Sequence, residues 1–185
     1  KSANVKNLYI FPNSTSECFV QKENTWQRIY DNELNDQERE RIKNAIQESV
    51  AETGVQEGIT PKGKQLFDRG SQVAFATLGI GASNEEKVSW DVDRTKRTKL
   101  VKALRKRIPE FEILIGGRTT IDITRKGINK AHGVRWLARH LNIKPGVMLY
   151  IGDALYKGGN DATVIPTGIQ TLSTGGPEET EEIID

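Results

Sequence analysis

At 185 residues the chain could form one domain or two small ones, and 36% apolar with 28% charged side chains is ordinary for a globular protein. A formal net charge of +2 gives no reason to expect nucleic acid or a membrane as partner, and no apolar run approaches the roughly 18 residues that a membrane-spanning helix needs. The one cysteine, Cys18, excludes an internal disulfide and suits a reducing, cytoplasmic setting.

The sequence opens at Lys1, with no methionine and no signal-like segment, so a trimmed or incompletely represented chain is expected. Leu8 to Phe11 is a short apolar run closed by Pro12-Asn13-Ser14, and Cys18 to Val20 and Trp26 to Tyr30 read as two further strands. Asn35 with Glu38 three residues on resembles a capping box. Ile42, Ala45, Ile46 and Val50 then form one helical stripe, and Gly54 stops the helix. Val55 to Gly63 is turn-rich, Ser71 to Leu78 reads as a strand, and Ser83 to Asp91 as loop. A second helix runs from Asp93 to about Arg107, with Leu100, Val101 and Leu104 inside and Pro109 beyond its end. Its run of arginines and lysines is read as a solvated face.

Phe111 to Ile115 and Arg118 to Thr124 are two strands joined at Gly116-Gly117. In the second, Thr119, Ile121 and Ile123 face one way and Arg118, Thr120, Asp122 and Thr124 the other. Strand pairs alternating with helices suggest an antiparallel sheet with two helices on one face, leaving the opposite face open and polar.

Beyond it, Lys130 opens a helix whose apolar positions are Val134, Leu137, Ala138 and Leu141. A cation there opposes the helix dipole, so it is poorly placed for stability and well placed to meet a phosphate. Val147 to Ile151 is continuously apolar, as in a central parallel strand covered on both faces. The run stops at Gly152-Asp153, where a strand's carboxyl end would present Asp153 to a ligand. Gly158 and Gly159 turn the chain so that Asn160 and Asp161 come back toward it. Two carboxylates and an amide oxygen are hard ligands of the kind Mg²⁺ takes. The plainer reading is a polar loop after a strand.

A lysine opening a helix, 23 residues ahead of a Gly-Asp strand end and followed by Gly-Gly-Asn-Asp, resembles the haloacid dehalogenase superfamily. The likeness is to its type IIB branch, with a large cap inserted late, and within it to phosphomannomutase-like and Cof-like phosphatases. It runs through Ile115-Gly116-Gly117, Thr120-Ile121-Asp122, Gly127 to Lys130, Gly152-Asp153, Gly158 to Asp161 and Pro177-Glu178-Glu179-Thr180. The resemblance implies an α/β protein: a partial Rossmann-like core plus an α+β cap. Residues 1–20 would be a core segment, 21–124 the cap and 125–185 the C-terminal half of the core.

It also implies phosphoryl transfer through an aspartyl-phosphate, assisted by Mg²⁺ and a lysine. Lys130 would be that lysine, Asp153 a Mg²⁺ ligand, and Asn160 and Asp161 supports of the metal site. Arg69 matches an arginine that holds a second phosphate in phosphomannomutases, and Thr120 and Asp122 match their sugar contacts. The family's second arginine falls on Ile80, which argues for a phosphatase over a mutase. The nucleophile should lie on an Asp-x-Asp-x-Thr motif ahead of the cap, and none precedes Leu8, so the catalytic aspartate is expected to be missing from this chain. Asp91-Val92-Asp93-Arg94-Thr95 mimics that motif, but its surroundings suit capping of the basic helix. His132, His140 and Trp136 are read as structural. The expected partner is a small phosphorylated substrate, with a phosphosugar mutase as the second reading and a non-catalytic module self-associating through its open sheet as the third.

Overall fold

The computed structural model describes residues 7–184. The chain divides between Gly127 and Ile128 into two compact units, while the expected divisions stood after residues 20 and 124. The described residues of the first expected segment fall in the first unit.

In that unit β1 (Tyr9–Ile10), a single turn α1 (Pro12–Thr15), β2 (Glu17–Lys22) and β3 (Thr25–Asp31) form a three-stranded antiparallel sheet in chain order. Asn35 and Glu38 then exchange both hydrogen bonds of the expected capping box, at 2.9 and 2.7 Å, and start α2 (Asp36–Thr53). Gly54, with φ +61, ends it in a left-handed conformation open to glycine at little cost.

The rest of the unit is β4 (Leu66–Asp68), β5 (Val73–Ala76), α3 (Asn84–Ser89), α4 (Thr95–Arg107), β6 (Phe111–Gly116) and β7 (Thr120–Arg125). The four strands pair antiparallel in the order β4-β5-β7-β6. Ile121 and Ile123 of β7 are fully buried among Ile42 and Ile46 of α2 and Leu100 and Leu104 of α4. Both helices therefore cover one face, as the alternation in β7 requires.

Two elements depart from expectation. Ser83–Asp91 is not loop throughout: α3 lies within it, capped by Ser83 and Glu86. None of its residues is buried, so it carries no helical stripe for periodicity to detect. The basic helix is solvated at Lys96, Lys99, Lys102, Arg105 and Lys106. Arg97 is the correction: its side chain is 4% exposed and its Nε lies 2.7 Å from Asp91, itself fully buried. Asp91 also accepts the backbone N–H of Lys96 and Arg97, and Asp93 that of Thr95, so the Asp91–Thr95 stretch caps α4 as expected.

The second unit holds α5 (Lys130–Leu141), a 3₁₀ turn at Pro145–Val147, β8 (Leu149–Gly152), a 3₁₀ turn at Asp161–Thr167, β9 (Gln170–Ser173) and α6 (Pro177–Ile184). β8 and β9 run parallel in register, Leu149 opposite Gln170 and Gly152 opposite Ser173. The strand expected over Val147–Ile151 is thus displaced to Leu149–Gly152, and it is not covered on both faces. Pro145 opens a turn that takes up Val147, which is 73% exposed, and Leu149 is 56% exposed. With two strands in the sheet of the described unit, only a small core forms, of Val134, Val164 and Ile169 with Met148, Tyr150 and Leu155 against it. Trp136 stacks on His140 within α5, at 4.6 Å between ring centroids.

Candidate active site

In the second unit, Asn129 caps α5 by accepting the Ala131 N–H at 3.0 Å, which sets Lys130 as the first helical residue. Its ammonium ion-pairs with Oδ1 of Asp161. The Tyr150 hydroxyl donates to the same oxygen at 2.5 Å, and the Ala154 N–H donates to Oδ2 at 2.9 Å. Asp161 is only 1% exposed, so a charge that would be costly when buried is met by one cation and two further donors.

Glycines make this packing possible. A Cβ on Gly152 would lie 2.6 Å from Asp161 Oδ2, and one on Gly159 would lie 2.0 Å from the Ala154 carbonyl. Lys130 and Asp153 line a cavity of about 560 Å³ with Gly152, Thr174, Thr180 and Glu181. Asp153 is exposed at the strand end, where the sequence placed it. Asn160 stands at the head of the 3₁₀ turn, its carbonyl accepting from Thr163, and is not among the cavity's lining residues.

Burial pushes the Asp161 carboxyl up, but the bonds from Lys130 and Tyr150 outweigh it and hold the group below the usual carboxylate range. The Tyr150 phenol is pushed up by its own burial and by Asp161, which keeps it a donor. A carboxylate with a lowered folded pKa contributes stability that is complete above its unfolded value and is lost as pH falls through the folded value. Urea unfolding of the second unit is therefore expected to weaken below about pH 4. In Asp161→Asn that acid-side dependence should flatten; an unchanged slope would show that the carboxylate is not coupled to folding.

The first unit carries a separate cavity of about 290 Å³, lined by Arg69, Ile80, Lys87, Arg118 and Thr120. Among the described residues its lining holds three cations and no carboxylate. Each cation rests on a neutral acceptor: Arg69 on Gln72 at 3.3 Å, Lys87 on the Ile80 carbonyl and Arg118 on Asn84, both at 3.1 Å. Arg69 and Thr120 are brought together as expected, whereas Asp122, two residues along the same face of β7, is not part of the lining. Lys87 was missed because Ser83–Asp91 was read as loop. The Ser83-x-x-Glu86 spacing was the available signal.

The donor set admits a hard cation. Mg²⁺ is commonly held by one or two carboxylates with waters and phosphate oxygens, and Asp153 can supply one. Asp161 fits less well, since both its oxygens are already engaged, and among the described residues no group of three or more His, Cys, Asp and Glu could hold a metal. Among the described residues no helix is long and apolar enough to cross a membrane.

Residues 80–165 match the model of a family described as haloacid dehalogenase-like hydrolase. No curated protein matches the sequence. Among solved structures, the N-terminally truncated, IMP-bound IMP-nucleotidase of Plasmodium falciparum superposes with a TM-score of 0.63 at 17% identity, over 98% of this chain and 48% of that one. Another N-terminally truncated form of that nucleotidase gives 0.65 at 18%, over 96% and 49%. The subclass IIB sugar phosphatase BT4131 gives 0.53 at 20%, over 91% and 65%. The chain spans about half the length of the nucleotidase structures it matches. At these identities the structural likeness establishes the fold, an α/β core with a cap. Residues 80–165 are thus similar to the haloacid dehalogenase-like hydrolases, and the chain shares its fold with these nucleotidase and subclass IIB phosphatase structures.

Proposed function

We propose that the protein is a Mg²⁺-dependent phosphatase acting on a small phosphorylated metabolite, with a sugar phosphate as the first choice. The observation that carries this reading is the Lys130 ammonium, held by buried Asp161 at the edge of the cavity that Asp153 also lines. A lysine fixed in this way meets phosphate oxygens as an oriented point charge, and it costs no reorganisation when charge builds up on the transferred group. Asp153, with Asn160 nearby in sequence, would hold Mg²⁺, which when bound neutralises phosphoryl charge. Asp161 serves by orienting Lys130, and Tyr150 and Ala154 keep its carboxylate in place. Asp91 cannot be the attacking carboxylate, since it is buried against Arg97. The partner in this reading is the small substrate and the compartment the cytoplasm, in keeping with the buried free thiol of Cys18.

The cationic cavity of the first unit favours a second reading, a phosphosugar mutase, because Lys87 and Arg118 join Arg69 where the sequence match offered Ile80. Incubating the full-length protein with hexose phosphates, mannose 1-phosphate and nucleoside monophosphates separates the two. A phosphatase releases phosphate with Mg²⁺ and stops with a chelator, whereas a mutase converts mannose 1-phosphate to mannose 6-phosphate. Neither product from any substrate would overturn both readings. Arg118→Ala is expected to raise KM about tenfold with kcat little changed, the worth of one charged hydrogen bond made equally in ground and transition states.

A further inference from the structure

Gln72 is not among the lining residues of the cationic cavity, yet it holds one of the cavity's cations. It directly precedes β5, is 2% exposed, and stands between two other side chains. Its Nε2 donates to Ser14 Oγ at 2.9 Å, and its Oε1 accepts from Arg69 Nη1 at 3.3 Å. A guanidinium can only donate, so the amide oxygen has to face Arg69 and the amide nitrogen is left for the hydroxyl. The backbone closes the same loop: the Arg69 N–H donates to the Gln72 carbonyl and the Ser71 N–H to the Arg69 carbonyl, each at 2.9 Å.

The anchor of Gln72 is the strained turn α1. Asn13, Ser14 and Thr15 stand at φ +52, +57 and +68, three consecutive side chains in the left-handed region that glycine alone enters at little cost. Such a backbone persists only where its surroundings fix it. Here one oxygen of buried Glu17 accepts from Asn13 Nδ2 at 2.9 Å and from Ser71 Oγ at 2.6 Å. The Ser16 hydroxyl donates to the Asn13 carbonyl at 2.7 Å, and the Tyr30 hydroxyl to the Thr15 carbonyl at 3.0 Å. Asn13 adjoins Ser14 and Ser71 adjoins Gln72, so the Glu17 carboxylate pins both sides of the contact between Ser14 and Gln72.

We infer that Gln72, fixed by Ser14 of this turn, is the positioning residue of Arg69 and thereby sets the affinity of the cavity for an anionic group of the substrate. The inference rests on the reading of that cavity as a substrate site. A neutral acceptor orients a guanidinium without cancelling its charge, whereas a carboxylate in the same place would neutralise it. Arg69 is itself exposed, so without Gln72 its side chain would lose its rotamer freedom only when the anion binds, at the expense of affinity. Held by Gln72, the cation is both charged and oriented before the substrate arrives.

Inorganic phosphate is the probe, titrated into the full-length protein at neutral pH and followed by the backbone amide resonance of Thr120, which lines the cavity. Gln72→Met, of similar length but without an acceptor, is expected to raise the phosphate Kd about fivefold, the cost of immobilising one arginine on binding. Gln72→Glu should raise it about tenfold or more, because its charge opposes the anion and pairs with Arg69. Ser14→Ala keeps Gln72 and removes its anchor; a rise of about threefold is expected, and this variant tests the same chain of contacts should Gln72→Met not fold. Arg69→Ala weakens phosphate binding, and adding Gln72→Met to it should change nothing further, since Gln72 acts through Arg69; a merely structural role would weaken binding in either background. If the Thr120 shift never saturates, or Arg69→Ala binds phosphate like the parent, the reading of the cavity falls and the inference with it. If Arg69→Ala weakens binding but Gln72→Met and Gln72→Glu both match the parent, or the Gln72→Met loss persists in Arg69→Ala, the inference alone is overturned.

Discussion

Lys130→Ala is expected to lower kcat for Mg²⁺-dependent phosphate release by about 10³-fold or more in the full-length protein, the scale of losing one oriented charge at a phosphoryl centre. The same change leaves Asp161, 1% exposed, with Tyr150 and Ala154 as donors and no cation. Breaking a fully buried pair costs about 3–5 kcal/mol. Lys130 keeps 29% of its side chain exposed and two donors remain, so about 2–3 kcal/mol is expected for the second unit. Measuring both quantities on one protein preparation separates the roles. Lys130→Arg retains the charge and should recover most of the stability, yet little of the rate, because a planar fork cannot take the place of a compact ammonium. Turnover within tenfold of the parent after Lys130→Ala would remove the lysine from the chemistry.

Arg97→Ala is expected to destabilise the first unit by about 3–5 kcal/mol, read as a fall in the denaturant midpoint at constant slope. The guanidinium donates through Nε to Asp91 Oδ2 at 2.7 Å, through Nη2 to the Asp91 carbonyl at 3.3 Å and through Nη1 to the Gly117 carbonyl at 2.7 Å. It therefore ties the start of α4 to the turn between β6 and β7. Removing it leaves a fully buried carboxylate whose remaining donors are the backbone N–H groups of Lys96 and Arg97. The double variant Asp91→Asn with Arg97→Met should recover part of the loss, since an apolar side chain of similar length then fills the space and no charge is stranded. A loss below about 1 kcal/mol for Arg97→Ala would mean that Asp91 finds water or relaxes outward.

Local chemistry was legible where a residue's role is decided by its neighbours in sequence. The Asn35 and Glu38 box, the Gly54 stop, the Ile121 and Ile123 alternation and the helix opening at Lys130 all rest on short-range hydrogen bonds or on a side-chain period. They stand in the structure as expected. The α3 helix was not legible by periodicity because no side chain of it is buried, although its cap was written in Ser83 and Glu86. The apolar run from Val147 misled because such a run signals burial only in a strand inside a sheet covered on both faces, whereas β8 pairs with β9 alone in the described sheet and Val147 and Leu149 are exposed.

The sequence by itself determined the elements that carry a cap or a side-chain period, the Gly-Asp and Gly-Gly-Asn-Asp loop and the presence of a lysine and carboxylates suited to phosphate and Mg²⁺, because those depend on backbone freedom and donor chemistry. Only the tertiary structure decided how those groups are used. Lys130 and Asp161 stand 31 positions apart and meet on one carboxylate oxygen with Tyr150; Arg97 leaves an otherwise solvated face to neutralise Asp91; and Gln72 is brought between Ser14 and Arg69. Burial and pairing of charge depend on what surrounds a side chain from every direction, and a linear pattern reports only the neighbours along the chain.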